Sequence, residues 1–197
     1  MTKPTIAIVY HSGYGHTAVV AEAVAEGARA AGAEVRLERI ENAAQDFAPI
    51  LKSVGEADAV IFGSPTYMGG VSAPFKAFAD ASSQAWFTSA WKDKLAAGFT
   101  NSLSLSGDKL STLSYLSILA AQHSMVWVGT GLPPGASTGD VSIDGVNRLG
   151  SSLGVMTQSD NVAPDQSPGA GDRKTAHLFG ERMAKAATRW KAGATAA

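Results

Sequence analysis

Short apolar runs recurring between helix-patterned stretches constrain this chain more than any other feature. Ile6–Tyr10, Ala59–Gly63, Leu95–Phe99 and Met125–Val128 are nearly continuous in apolar residues, whereas 34–39 alternates polar and apolar with period two. Continuous runs of that length fit strands covered on both faces, and alternation fits a strand with one face open. The 34–39 strand is therefore expected at a sheet edge. Between the strands, 17–31 sets Val20, Val24 and Ala28 on one helical stripe and Glu22, Glu26 and Arg29 on another. The stretch 175–190 does the same with Phe179, Met183 and Trp190, and 108–122 reads as a serine-rich helix. Strands alternating with helices predict an α/β fold with a five-stranded parallel sheet, order 2-1-3-4-5, and helices on both faces.

The 197 residues suffice for one domain with a sizeable core. The stretch 129–174 breaks the rhythm. It is rich in glycine and proline and too long for an ordinary connection, so it is expected as an insertion over the site or at a subunit contact. The tail 191–197 is expected to fray.

A net charge of −1 gives no electrostatic footprint for nucleic acid. With no cysteine, thiol catalysis, disulfides and Cys-ligated metal are excluded. His11, His16, His123 and His177 lack metal-ligand spacing, so no metal site is expected. The apolar run after Met1–Pro4 is too short for a signal peptide or a membrane span, which points to a cytoplasmic protein.

Three loops at strand ends carry the chemistry. The first is Ser12-Gly13-Tyr14-Gly15-His16-Thr17, between the first strand and the first helix. Free N–H groups and the helix dipole favour an anion there, two glycines allow close approach, and Ser12 and Thr17 offer hydroxyls. A glycine turn capped by Ser12 or Thr17 uses the same residues. If the loop holds a phosphate, the absence of any lysine between Lys3 and Lys52 argues against a triphosphate. Ala18 in place of a third glycine argues against a dinucleotide, which leaves a monoester held by backbone and hydroxyls. The second loop, Gly63–Gly70, faces the first across the crevice between neighbouring strands, with Pro65 and Thr66 shaping it and Tyr67, Met68 and Gly69 placed to cover a flat ring. The third, Thr100 to Asp108, includes Asn101, Ser102 and Ser106, short groups suited to the edge of a polar heterocycle or to a capped linker.

S-G-Y-G-H-T (12–17) resembles the FMN-phosphate loop of flavodoxin-like proteins, in the variant of the WrbA-type NAD(P)H:quinone oxidoreductases. I-F-G-S-P-T-Y-M-G-G (61–70) is similar to that family's I-F-G-T-P-T-R-F-G-N. The resemblance implies a flavodoxin-like fold with one FMN. Ser12–Thr17 would hold its phosphate, with Tyr14 also near the nicotinamide. Thr66–Met68 would lie along the ring, and the 100–106 loop at its other edge. It further implies two-electron transfer from NADH or NADPH to a quinone-like acceptor, substrate-side roles for Trp86 and His123, and a homodimer or homotetramer. No catalytic side chain is assigned. Three departures stand out: N-S-L-S-L-S at 101–106 replaces a glycine-rich run, Gln122 replaces the first of two family histidines, and Tyr67 replaces an arginine. An electron carrier serving a protein partner, or a non-catalytic FMN-binding regulatory module, remains the alternative.

Overall fold

The computed structural model describes residues 3–194. Seven strands and seven helices follow in the order β1 (Thr5–His11), α1 (His16–Ala30), β2 (Glu34–Ile40), α2 (Ala48–Glu56), β3 (Ala59–Tyr67), β4 (Gly70–Val71), α3 (Ala73–Ala81), α4 (Ser83–Phe87), β5 (Leu95–Ser102), α5 (Lys109–Gln122), β6 (Val126–Trp127), α6 (Gly135–Thr138), β7 (Val155–Gln158) and α7 (Ala170–Ala194). The sheet runs β2-β1-β3-β5-β6, every neighbouring pair parallel. The five strands read from the sequence occupy this path in the expected order, and the alternating strand, β2, is an edge.

The continuous runs are explained by two covered faces. Along β1, Ile6, Ile8 and Tyr10 pack with Val20, Val24, Phe179 and Met183 of α1 and α7. Ala7 and Val9 pack on the other face with Phe62, Phe75, Phe78 and Trp91. Aromatic pairs tighten that second layer: Phe78 stacks on Trp91 with ring centroids 6.3 Å apart, and Phe75 meets Phe78 edge-on at 5.8 Å.

Two differences from the sequence reading matter for the site. The stretch 129–174 is not one irregular insertion. Val155–Gln158 pairs with the second half of β5, while Val126–Trp127 pairs with its first half. The fifth strand position is thus filled by two short strands, and the chain between them makes the excursion. Four residues are too few to show a period, which is why β7 is invisible in the sequence. At the other end of the stretch, α7 already begins at Ala170. The second difference concerns Tyr67 to Gly70. Thr66 pairs with Val71 and Tyr67 with Gly70 in an antiparallel hairpin. Met68 and Gly69 turn it, both with positive φ (46° and 78°), as a two-residue hairpin turn demands.

Within the tail expected to fray, 191–194 are helical. α7 continues to Ala194, and Lys191 Nζ donates to Asp58 Oδ2 at 2.8 Å; 195–197 lie outside the described residues.

Candidate functional site

A cleft of about 370 Å³ opens at the carboxyl ends of β1, β3, β5 and β7, within the range of small-molecule sites. Its walls come from four segments. They are Tyr14, His16 and Thr17; Pro65, Thr66 and Tyr67; Asn101, Ser102 and Leu103; and Ser159 to Val162. Three of these were expected. The fourth, after β7, belongs to the stretch expected over the site or at a subunit contact.

The β1–α1 wall is shaped by its main chain. Gly15 caps α1 with φ 90°, and a Cβ built there would lie 2.8 Å from Pro164 Cγ. A Cβ on Gly13 would lie 2.5 Å from Tyr67 Oη. Gly15, with its left-handed φ, therefore requires glycine, whereas a side chain at Gly13 would displace the Tyr67 hydroxyl. Ser12, which is buried, accepts the Ala18 N–H on Oγ at 3.1 Å and so ties the end of β1 to the first turn of α1. The backbone N–H groups of Tyr14, Gly15, His16 and Thr17, however, donate to none of the described residues. The Thr17 hydroxyl also makes no hydrogen bond to a described residue, although Thr17 is 2% exposed and on the wall. These donors converge at the positive end of a 15-residue helix. His16 Nε2 donates to the Val162 carbonyl at 2.9 Å and ties the first wall to the fourth.

Opposite, Tyr67 reaches over the first loop. Its ring meets Tyr14 edge-on at 6.1 Å, and Tyr14 itself is 77% exposed. Burial pushes the Tyr67 phenol upward and the neighbouring Tyr14 adds to this, while the Gly13 N–H opposes it. Beneath lies a chain of three threonines: Thr66 Oγ1 is 2.8 Å from Thr100 Oγ1 and 2.7 Å from Thr112 Oγ1. Asn101 Oδ1 accepts from Thr157 Oγ1 at 2.7 Å and from Ser159 Oγ at 2.9 Å. Its Nδ2 has no partner among the described residues, and the residue lines the cleft. The lining holds no lysine or arginine and one carboxylate, Asp160.

Several expected site residues lie elsewhere. Thr100 is fully buried and supports Thr66 from below. Met68, fully exposed, and Gly69 form the hairpin turn and stand off the wall. Ser106 turns to the other side of the β5–α5 loop, into a groove with Leu105 and Tyr115. Trp86 and His123 are not brought to the cleft. His123 follows α5, whose 14 residues carry the chain about 21 Å from the cleft end of the sheet. There His123 Nε2 pairs with Ser82 Oγ at 2.9 Å and its ring lies 4.1 Å from Trp91, while Trp86 packs on Phe87 beside it. Burial lowers the His123 pKa, as for a structural histidine.

The sequence reading missed Lys109, buried behind the third wall, and the Arg148–Asp172 pair behind the fourth. The Arg148 guanidinium donates from Nε and Nη2 to the two Asp172 oxygens, both at 2.9 Å, and Asp172 Oδ2 also accepts the Gln158 N–H at 2.8 Å. A lysine opening the helix after a loop whose one charged residue is Asp108 was the available sign. Among the described residues no cluster of acids and histidines could hold a metal, and no helix is long and apolar enough to cross a membrane.

The sequence profile of the NADPH-dependent FMN reductase family matches residues 6–134. The chain is 45% identical over 179 residues to flavodoxin FldP of Pseudomonas aeruginosa, covering 90% of this chain and 94% of that protein. It is 32% identical over 205 residues to an NAD(P)H dehydrogenase (quinone) of Geotalea uraniireducens, covering 93% of this chain and 98% of the other. Among solved structures, the flavodoxin, WrbA-like protein of Agrobacterium tumefaciens superposes with a TM-score of 0.75 at 43% identity, over 94% of this chain and 98% of that one.

Proposed function

This chain belongs to the NADPH-dependent FMN reductase family, and from that premise we propose that it carries two electrons from NAD(P)H through FMN to a quinone or a similar flat acceptor. Bound FMN supplies the redox chemistry, and the protein supplies binding, orientation and electrostatics. The observation that carries the reading is the set of unpaired donors from Tyr14 to Thr17, set around Gly15, whose left-handed backbone and contact with Pro164 leave no room for a Cβ. Neutral donors at a helix start suit a phosphate monoester without any cation in the lining.

On this reading Ser12 to Thr17 hold the phosphate, Ser12 by fixing the helix start and Thr17 by its free hydroxyl. Pro65, Thr66 and Tyr67 lie along the ring, and Asn101 and Ser102 meet its polar edge. Tyr14, exposed and edge-on to Tyr67, orients the nicotinamide and then the acceptor at the mouth. Ordering both reactants against one ring is the protein's main contribution to rate. Exposed Leu105 in the β5–α5 loop, with Leu110 and Ile118 on α5, forms the surface on which a homodimer or homotetramer would close.

The test is anaerobic addition of NADH and then NADPH to the flavin-loaded protein. One of them bleaches the flavin absorption, and benzoquinone restores it. The 45% identity to a protein named flavodoxin favours one second reading, an electron carrier for a protein partner. Flavin that neither nucleotide bleaches, yet a flavoprotein reductase does, establishes the carrier and overturns the reductase.

A further inference from the structure

Lys109 opens α5 and is one of the largest fully enclosed side chains, at 1% exposure. Its ammonium has three donors, and all are used. Nζ donates to Ser102 Oγ at 2.9 Å, to the Ser104 carbonyl at 2.7 Å and to the Leu105 carbonyl at 2.9 Å. Gln158 Nε2 takes the Leu103 carbonyl at 3.0 Å. Three successive carbonyls of the β5–α5 loop are thus turned to donors behind it. The N–H groups of the same residues, 103–105, have no acceptor among the described residues.

An enclosed ammonium is a costly way to shape a loop, because burial opposes its charge. Burial does push the Lys109 pKa down, to about 8; Asp172 on α7 resists this and Arg148 adds to it. Glycines or hydroxyls would shape a turn without that cost. What the lysine adds is a positive charge one hydroxyl away from a cavity whose own lining holds no lysine or arginine: Ser102, bonded to Nζ, is on the wall.

We propose that Lys109 is a positioning residue for the cofactor, holding the 102–105 loop against the ring edge and, through Ser102, favouring the more negative, reduced state of the ring. The inference rests on the reading of the cleft as an FMN site. Charge placed at a flavin's edge is a lever on its potential. As pH rises through about 8 the ammonium loses its proton and the bias fades. Asp172 and Arg148 set where that happens, and Asp108, next in sequence, lines the same groove on the far side of the loop as Lys109 without adding to the shift.

The test compares the wild-type chain with Lys109→Met and Lys109→Gln. FMN affinity is read from quenching of flavin fluorescence, and the two-electron potential from dye equilibration between about pH 6.5 and pH 9.5. At neutral pH the variants are expected to bind FMN about tenfold more weakly. Their preference for reduced over oxidised flavin falls about tenfold, which is about 30 mV. The wild-type potential shows an inflection near pH 8 that both variants lack, and the cofactor-free variants melt no lower than wild type. The wild-type profile needs no variant, so a variant that fails to fold does not shield the proposal. Unchanged potentials and pH profiles, with FMN still bound, overturn the role of Lys109 alone. Failure of the wild-type chain to bind FMN overturns the reading of the cleft and this inference together.

Discussion

The loop after β1 takes its shape from its main chain, whereas the loop after β5 takes its shape from one buried side chain. In the first, Gly13 and Gly15 sit where any Cβ would strike Tyr67 or Pro164, and the amides from Tyr14 to Thr17 are left unpaired. In the second, Lys109 gathers Ser102, Ser104 and Leu105 from behind, and Arg148–Asp172 braces the neighbouring strand β7 through Gln158. A wall shaped by glycine spacing can be read in a sequence. A wall shaped by an enclosed charge leaves a fainter trace, a single lysine at the start of the next helix, because the loop residues themselves match those of any solvated hydroxyl-rich linker.

The contrast can be broken from either side. The largest effect is expected at the charge-braced side. Asp172→Asn leaves Arg148 enclosed without its carboxylate, and side-chain exposures of 7% and 2% keep water from replacing it. Loss of one partner of a buried pair costs about 3–5 kcal/mol, read as a lower midpoint in urea. On the main-chain side, Gly15→Ala forces a side chain into φ 90°. A strained backbone of that kind costs about 2 kcal/mol. If the loop rearranges to relieve it, FMN affinity falls about 30-fold while the urea midpoint stays near that of wild type. Equal loss of stability and affinity in both variants would erase the distinction between the walls.

The smallest effect is with pH, and it sharpens the contrast. His11, behind the first wall with its ring 6.5 Å from Tyr67, has a pKa lowered by burial and by Arg39, against Glu41. The unfolded chain therefore binds that proton first. Stability is present above about 6.5 and is lost as pH falls through the lowered folded value. Lys109 has the same sign in a different window. The unfolded chain holds the proton up to about 10.5 and the folded chain only to about 8, so stability rises with pH between them. Melting curves across both windows check this. Lys109→Met reduces the alkaline rise, to which Lys94, also lowered by burial, adds in the same sense, and leaves the acid limb, which His11→Gln reduces and His123 shares.

Most of the sheet could be read before any coordinates because its physics is local. Buried strands are continuous runs, the edge strand alternates, and helix stripes repeat every three to four residues. The loops at the carboxyl ends of β1 and β3 could be found for the same reason. What escaped was set by distance through space. β7 is four residues long and declares itself only by pairing with Phe99–Ser102. The turn at Met68 and Gly69 is visible only once Thr66 is seen opposite Val71. Trp86 and His123 were expected on the substrate side, yet α5 delivers His123 to the opposite end of the sheet, against Trp91. Asn101 was expected, but that Thr157 and Ser159 hold its carbonyl oxygen, leaving the amide nitrogen for the cleft, required the strand no pattern revealed.

The most direct measurement is a calorimetric titration of the cofactor-free chain with FMN, set beside riboflavin, which lacks the phosphate. With Tyr14 to Thr17 as the phosphate cradle, the chain binds one FMN per subunit and riboflavin at least 100-fold more weakly, about 2.7 kcal/mol. Equal affinity for the two, or no binding of either, would contradict the account.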